Sequence, residues 1–281
     1  MPEGHTLYRL ATALTGSFGG RRVRVGSPQG RFADSAALLD RSLLRGAEAA
    51  GKHLFIQFSA GRWLHVHLGL YGTFEVVAGP APAPRGAVRL RLSTASSYAD
   101  LRGPTACELQ TGAQREAVLS RLGPDPLRPD VDPELAWRRI SSSSRPVAGL
   151  LMDQNVIAGV GNVYRAELLF RHRIAPHRQG RDLSRSEWEA MWVDLVALMH
   201  DGVRTGRVDT VRDAHLPAVM GRQPRVDDHG GEVYVYRRAG QPCHVCAEAL
   251  ATELLDGRNL FWCPRCQSDG RSSAAGRPRP G

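Results

Sequence analysis

The chain opens Met1-Pro2-Glu3-Gly4, so removal of Met1 would leave a proline secondary amine as the first group, with a carboxylate beside it. Such an amine attacks an electrophilic carbon in its neutral form. A helix starting at once would set its positive end there and disfavour the protonated form. An ordinary chain start remains the alternative on these four residues alone. A second chemical device lies near the other end, in Cys243-x2-Cys246-x16-Cys263-x2-Cys266. Two CxxC pairs offer four thiolates at the spacing of a tetrahedral site, so one structural Zn2+ would close a hairpin too small to bury a core. Disulfides are the competing reading, which a reducing cytoplasm disfavours. Cys107 stands alone and reads as a small buried filler.

Weaker candidates lie between. Lys52 is the single lysine among 37 Lys and Arg. It heads an apolar strand after Gly51, and its titratable amine could donate a proton or contact phosphate, or simply be solvated at a strand end. Gly159-Val160-Gly161-Asn162 leads into a helix and presents backbone N–H groups to an anion, although paired glycines also serve helix contacts. Arg258 lies at the tip of the zinc hairpin, where it could grip a phosphate or cap the turn. His65 and His67 share one strand face. With no third ligand nearby, they read as hydrogen-bonding groups on a polar face.

These residues need a scaffold. Leu7, Leu10, Ala11 and Leu14 carry a helical spacing that Gly16 could stop. Alternation at 21 to 27, 52 to 58, 62 to 68, 71 to 77 and 87 to 93 predicts strands, with Leu64, Val66 and Leu68 facing one way and His65 and His67 the other. The prediction is an α+β protein: an N-terminal antiparallel β-sandwich domain with a leading helix over 1–122, then a linker at 123–134 marked by Pro124, Pro126, Pro129 and Pro133. A helical domain follows over 135–235. Ser184-Arg185-Ser186-Glu187 is a capping box, and Trp188, Met191, Trp192, Leu195, Leu198 and Met199 continue an amphipathic helix to about 200 as core packing. Two apolar helical stretches, 146–154 and 162–171, precede it. Residues 203–232 lack periodicity and read as a mobile loop. The zinc finger takes 236–267, and the tail, 268–281, should be disordered.

With 281 residues and 42% hydrophobic composition, two domains with real cores are allowed. No apolar run approaches the ~20 residues that cross a bilayer, which points to the cytoplasm. The formal net charge of +9, almost all from arginine, suits phosphate as a partner, although a GC-rich genome alone inflates arginine.

Taken together, the chain resembles the formamidopyrimidine-DNA glycosylase and endonuclease VIII family, nearly end to end. The shared motifs are Met1-Pro2-Glu3-Gly4, Gly51-Lys52-His53-Leu54-Phe55, His67-Leu68-Gly69-Leu70-Tyr71-Gly72, Arg121-Leu122-Gly123-Pro124-Asp125, Leu151-Met152-Asp153-Gln154 with Ala158 to Tyr164, and Phe261-Trp262-Cys263-Pro264-Arg265-Cys266-Gln267. The resemblance implies a helix-two-turn-helix and a zinc finger in the second domain, and DNA carried between the domains. It implies a bifunctional glycosylase and abasic-site lyase of base-excision repair. Pro2 would be the Schiff-base nucleophile, Glu3 the acid and base that opens the sugar, and Lys52 an aid to β-elimination. Asn162 and Arg258 would hold phosphates beside the lesion, with Arg258 also linked to δ-elimination. Arg121 would contact DNA, and Leu70 and Tyr71 would fill the hole left by a flipped nucleotide. The partner would be double-stranded DNA with oxidised or abasic sites, bound by a monomer in the bacterial cytoplasm and nucleoid. A non-catalytic binder of damaged DNA is the alternative.

Two departures from the family pattern stand out. Relatives commonly continue the opening with proline and glutamate, but here His5-Thr6 follow Gly4, so a second acidic group near the amine is missing. Gly69 replaces a polar, DNA-inserting residue common among endonuclease VIII relatives. The Gly4 opening leans towards that branch and towards oxidised pyrimidines.

Overall fold

The computed structural model describes residues 2–226 and 231–268. They form two compact units, one ending at Asp125 and the other beginning at Pro126. No helix among the described residues is long and apolar enough to cross a membrane.

The first unit begins with helix α1 (Gly4–Phe18), whose Leu7, Leu10, Ala11, Leu14 and Phe18 are buried in one core. Glu3 is its N-cap in extended conformation. Two antiparallel sheets complete that core. One is ordered β1 (Arg21–Arg22), β3 (Leu43–Ala50), β4 (His53–Phe58), β5 (Trp63–His67), β9 (Ala106–Gln110). The other is ordered β2 (Arg24–Gly26), β7 (Val88–Ser93), β8 (Ser97–Arg102), β6 (Thr73–Ala78). The alternation works as read: Leu54, Ile56, Leu64, Val66, Leu90 and Leu92 face the core. Two short helices, α2 (Ala33–Leu39) and α3 (Gly112–Leu119), flank the sheets.

Strands β3, β8 and β9 and helices α2 and α3 carry no clear period and go beyond the sequence reading. In β3 the cause is visible. Its Leu-Leu-Arg-Gly-Ala-Glu-Ala-Ala run is small because α1 lies close against it, and Thr15 of that helix bonds into the strand. Ala47 N–H donates to Thr15 Oγ1 at 2.8 Å, beside a register shift at Leu44/Gly46.

In the second unit α4 (Glu134–Ser141), α5 (Val147–Met152), α6 (Asn162–Arg171) and α7 (Arg185–Thr205) enclose a separate core that includes Ile140, Leu151, Tyr164, Trp188, Met191 and Leu195. The capping box at Ser184 and Glu187 is formed, and α7 runs to Thr205, ending at Gly206 in left-handed conformation. Arg178 pairs with Glu187 and, with the Ser184 cap, holds its carboxyl down at about 2. Residues 203–232 are not wholly irregular: they include the last turn of α7, a 3-10 turn Asp213–His215 and the short α8 (Pro217–Met220). Residues 227–230 of that loop, and the tail apart from Ser268, lie outside the described residues. Finally, β10 (Ala251–Leu255) and β11 (Arg258–Trp262) pair as a hairpin through Asp256 and Gly257. Both turn residues have positive φ, 48° and 72°, as a type I′ turn demands.

Candidate active site and zinc hairpin

In the first unit, Pro2 is half-buried and Glu3 is 1% exposed, at the foot of a 15-residue helix. The Glu3 carboxyl does not cap that helix, while its carbonyl accepts from Thr6 N–H at 2.9 Å. His5, just behind the amine, is 6% exposed, and burial with the Arg9 charge lowers its pKa to about 4. It is therefore a neutral group at physiological pH, not a substitute acid.

Lys52 occupies the two-residue turn between β3 and β4, where Ala50 pairs with His53. Gly51 precedes it at φ +56°, the glycine-first pattern of a type II′ hairpin turn. One residue that sequence reasoning left inside a motif ties this turn to α1. Asp125 is 3% exposed, and its Oδ2 accepts from Gly51 N–H at 2.7 Å and from Tyr8 O–H at 3.0 Å. The helix that starts at Glu3 and the turn that carries Lys52 are thus joined through one buried carboxylate. The only sequence signal was an acid flanked by Pro124 and Pro126, where a solvated linker was expected; Pro124, Asp125, Pro126 and Leu127 are all buried.

Leu70 and Tyr71 sit in the β5–β6 connection, 47% and 88% exposed. The glycine before them has a physical cause. Gly69 has φ +69°, and a Cβ there would lie 1.9 Å from Thr105 Oγ1. Arg121 is exposed after α3, and its charge is felt at His53. His65 and His67 do hydrogen-bond or stack on the outer sheet face as expected, but that face is not open. His65 is 5% exposed, and His53 joins them with its Nδ1 2.9 Å from His65 Nε2. Cys107 packs partly buried against the core, and burial pushes its thiol up to about 12, as befits an inert filler.

In the second unit, Gly159 at φ +88° and Gly161 at the N-cap lead into α6 at Asn162. Gln154 shapes this turn: its amide accepts from Gly159 N–H and donates to Val160 O, each at 3.0 Å. Asn162 is 7% exposed and donates from Nδ2 to the Asn259 carbonyl at 2.9 Å, with buried Arg165 bonding both. The start of α6 is therefore fastened beside Arg258, which heads β11 next to Asn259. One Asn162 N–H is spent on this link. Two further charges of α6 escaped notice because they stand singly in an apolar helix. Arg165 is 1% exposed, and Glu167, with no exposure, accepts from Thr210 Oγ1 (2.6 Å) and from the backbone N–H groups of Tyr234 (2.7 Å), Val235 and Tyr236 (2.8 Å each).

The four hairpin cysteines converge as their spacing requires. All four Sγ atoms lie within 4.8 Å of one another, with Cys246 and Cys263 3.4 Å apart and Cys243 and Cys266 4.0 Å apart. Zinc–thiolate bonds of about 2.3 Å give a tetrahedron with edges of about 3.8 Å, which this set brackets. Val245 N–H and Cys266 N–H donate to the sulfurs of Cys243 and Cys263, each at 3.4 Å. These residues form one structural zinc site with four protein ligands. Gln267 closes the module by accepting from Cys263 N–H and donating to Ile174 O.

Comparison with known proteins agrees with these parts. Residues 1–107 match the formamidopyrimidine-DNA glycosylase N-terminal domain, 122–213 its H2TH domain, and 240–268 the zinc finger found in formamidopyrimidine-DNA glycosylase and isoleucyl-tRNA synthetase. The chain is 54% identical over 275 residues to "Endonuclease 8 1" of Mycobacterium tuberculosis, covering 95% of this chain and all of that one. It is 32% identical over 273 residues to the formamidopyrimidine-DNA glycosylase of Thermus thermophilus, covering 96% and 98%. The fold matches the Lactococcus lactis glycosylase in complex with DNA containing Fapy-dG, with a TM-score of 0.78 at 20% identity over 95% of this chain and 100% of that one. The chain therefore belongs to the formamidopyrimidine-DNA glycosylase and endonuclease VIII family, and is a DNA glycosylase and abasic-site lyase with a zinc finger.

Proposed function

We propose that this enzyme acts as a monomer in base-excision repair, removing oxidised bases, pyrimidines in preference, from double-stranded DNA through the free amine of Pro2. The observation that carries the reading is the buried Asp125 carboxylate, which joins the helix beginning at Pro2-Glu3 to the Lys52 turn. The 54% identity to a protein named endonuclease 8 supports the pyrimidine preference. The bacterial relatives and the DNA substrate support a location with the nucleoid in the cytoplasm.

In this reading the neutral Pro2 nitrogen forms a bond to C1′ of the damaged nucleotide as the C1′–base bond breaks and the base leaves with a proton. Glu3 protonates the sugar ring oxygen and opens the ring. Because the proline nitrogen already carries two carbons, the adduct is an iminium, an electron sink that acidifies C2′. Loss of the C2′ proton expels the 3′ phosphate in β-elimination, with Lys52 assisting beside the phosphate. A further δ-elimination, linked to Arg258, expels the 5′ phosphate, and water releases Pro2. Arg121, Asn162 and Arg258 hold backbone phosphates, and Leu70 and Tyr71 occupy the space of the extruded nucleotide, where their exposure suits insertion.

Borohydride reduction on abasic-site DNA tests the reading. Untagged protein lacking Met1 should become covalently attached at Pro2, and a panel of duplexes should show faster excision of oxidised pyrimidines than purines. Tight binding without trapping would establish the non-catalytic binder instead.

A further inference from the structure

A column of side chains runs along the outer face of the five-stranded sheet. His53, directly after Lys52, stands opposite His67, and Phe55 stands opposite His65. The His65 ring stacks on His53 at 5.1 Å and on Phe55 at 4.9 Å, and Arg115 of α3 covers Phe55 and Trp63. With Phe55 fully buried and His65 nearly so, the column is a rigid support for His53.

Its hydrogen bonds run in one direction. The Glu108 carboxylate can only accept, and Gln110 Nε2 lies 3.2 Å from Glu108 Oε2, which sets the amide with its NH2 end there. The same nitrogen lies 3.2 Å from His65 Nδ1, so that ring atom accepts. Glu108 itself is 3.6 Å from His65 Nδ1, too far to take a proton from it. His65 consequently carries its proton on Nε2 and donates it to His53 Nδ1 at 2.9 Å. His53 must then hold its own proton on Nε2. That N–H meets no acceptor among the described residues and is not sealed from solvent.

We propose that His53 is a DNA-contacting residue, a neutral Nε2–H donor to a backbone phosphate oxygen beside Lys52, with its tautomer set by Gln110 through His65. This rests on the reading above that Lys52 and Arg121 face the DNA backbone. Burial and the charges of His65, His67, Arg121 and Lys52 lower the His53 pKa to about 3, and His65 and His67 are lowered too. The charged groups facing the column are Lys52, Arg121, Arg115 and Glu108. His53 therefore adds a hydrogen bond without adding a charge, and displaces no counterion.

The test uses full-length untagged protein and a duplex carrying a tetrahydrofuran abasic analogue, with Kd measured across a salt series. His53→Leu should bind about tenfold more weakly at every salt concentration, with the slope of log K against log salt unchanged. Lys52→Met should instead reduce that slope by about one. His53→Gln, whose amide N–H reaches the position of imidazole Nε2, should recover most of the loss, and His65→Phe, which fills the ring site but ends the chain of donors, should fall between. Nitrogen-15 NMR of the parent protein should show His53 as the Nε2–H tautomer at pH 7, a readout independent of any variant. Unchanged affinity in His53→Leu, a slope change of about one in that variant, or an Nδ1–H tautomer would each overturn the assignment. Failure of the parent protein to bind abasic DNA would instead sink the glycosylase reading on which it rests.

Discussion

Asp125→Ala is the most informative single change in the first unit. It removes a buried carboxylate whose Oδ2 accepts two hydrogen bonds, from Gly51 N–H at 2.7 Å and from Tyr8 O–H at 3.0 Å. The Gly51 amide is fully buried, so losing its acceptor costs the desolvation of a peptide N–H, about 1–3 kcal/mol. Tyr8 is half-buried and can turn to water, which limits its share to about 1 kcal/mol. The expected sum is about 2–4 kcal/mol, or a fall of about 10 °C in the unfolding transition of a unit of this size. Calorimetry of Asp125→Ala, Tyr8→Phe and the double variant measures it. Because both singles break the same Tyr8 bond, the double should cost about 1 kcal/mol less than their sum. Single-turnover cleavage of abasic DNA by folded Asp125→Ala should be about tenfold slower, as the Lys52 turn loses its tie to α1. Asp125→Asn, which keeps one acceptor, should restore much of both. Additive singles, or a lyase rate equal to the parent in a destabilised Asp125→Ala, would refute the claim that this carboxylate positions the turn.

Gly69→Ala should lower stability by about 1–3 kcal/mol, through positive φ and the Thr105 contact, and Thr105→Ala should return part of it in a thermal melt. Cys263→Ser should lose zinc by metal analysis and weaken DNA binding while the first unit's melting transition remains in place. Acidification should destabilise the first unit. His5 and His53 have folded pKa values of about 4 and about 3, below the ordinary 6.5, so their stabilising effect is full above about pH 6.5 and is lost as pH falls towards 4 and 3. His5→Asn should flatten the melting temperature against pH between about 6.5 and 4; an unchanged curve would contradict the burial of a neutral imidazole there.

Much of the first unit was legible because its strands alternate strictly: Leu64 and Val66 against His65 and His67, or Leu90 and Leu92 against Arg89 and Arg91. The strand Leu43–Ala50 was hidden since its small residues answer to the close approach of α1, a tertiary cause with no local period. The four cysteines were readable from spacing alone because metal geometry constrains sequence separation tightly. Asp125 and Glu167 were not. A buried carboxylate is recognised by the donors that surround it, and those come from residues 74 positions away for Asp125 and Gly51 and 67 to 69 away for Glu167 and Tyr234 to Tyr236. Prolines around Asp125 pointed to a solvated linker, whereas the same rigidity serves to hold a packed anchor.

Glu167 also bears on how this scaffold can change. Its carboxylate fastens Thr210 on one side and Tyr234 to Tyr236 on the other, and Thr210 N–H closes the base against the Glu232 carbonyl at 2.8 Å. The segment between these anchors therefore leaves from and returns to one socket. Change within it is constrained where it bonds back to that socket, Arg212 and His215 to the Tyr234 hydroxyl and Arg225 to Glu232 and the Tyr236 carbonyl.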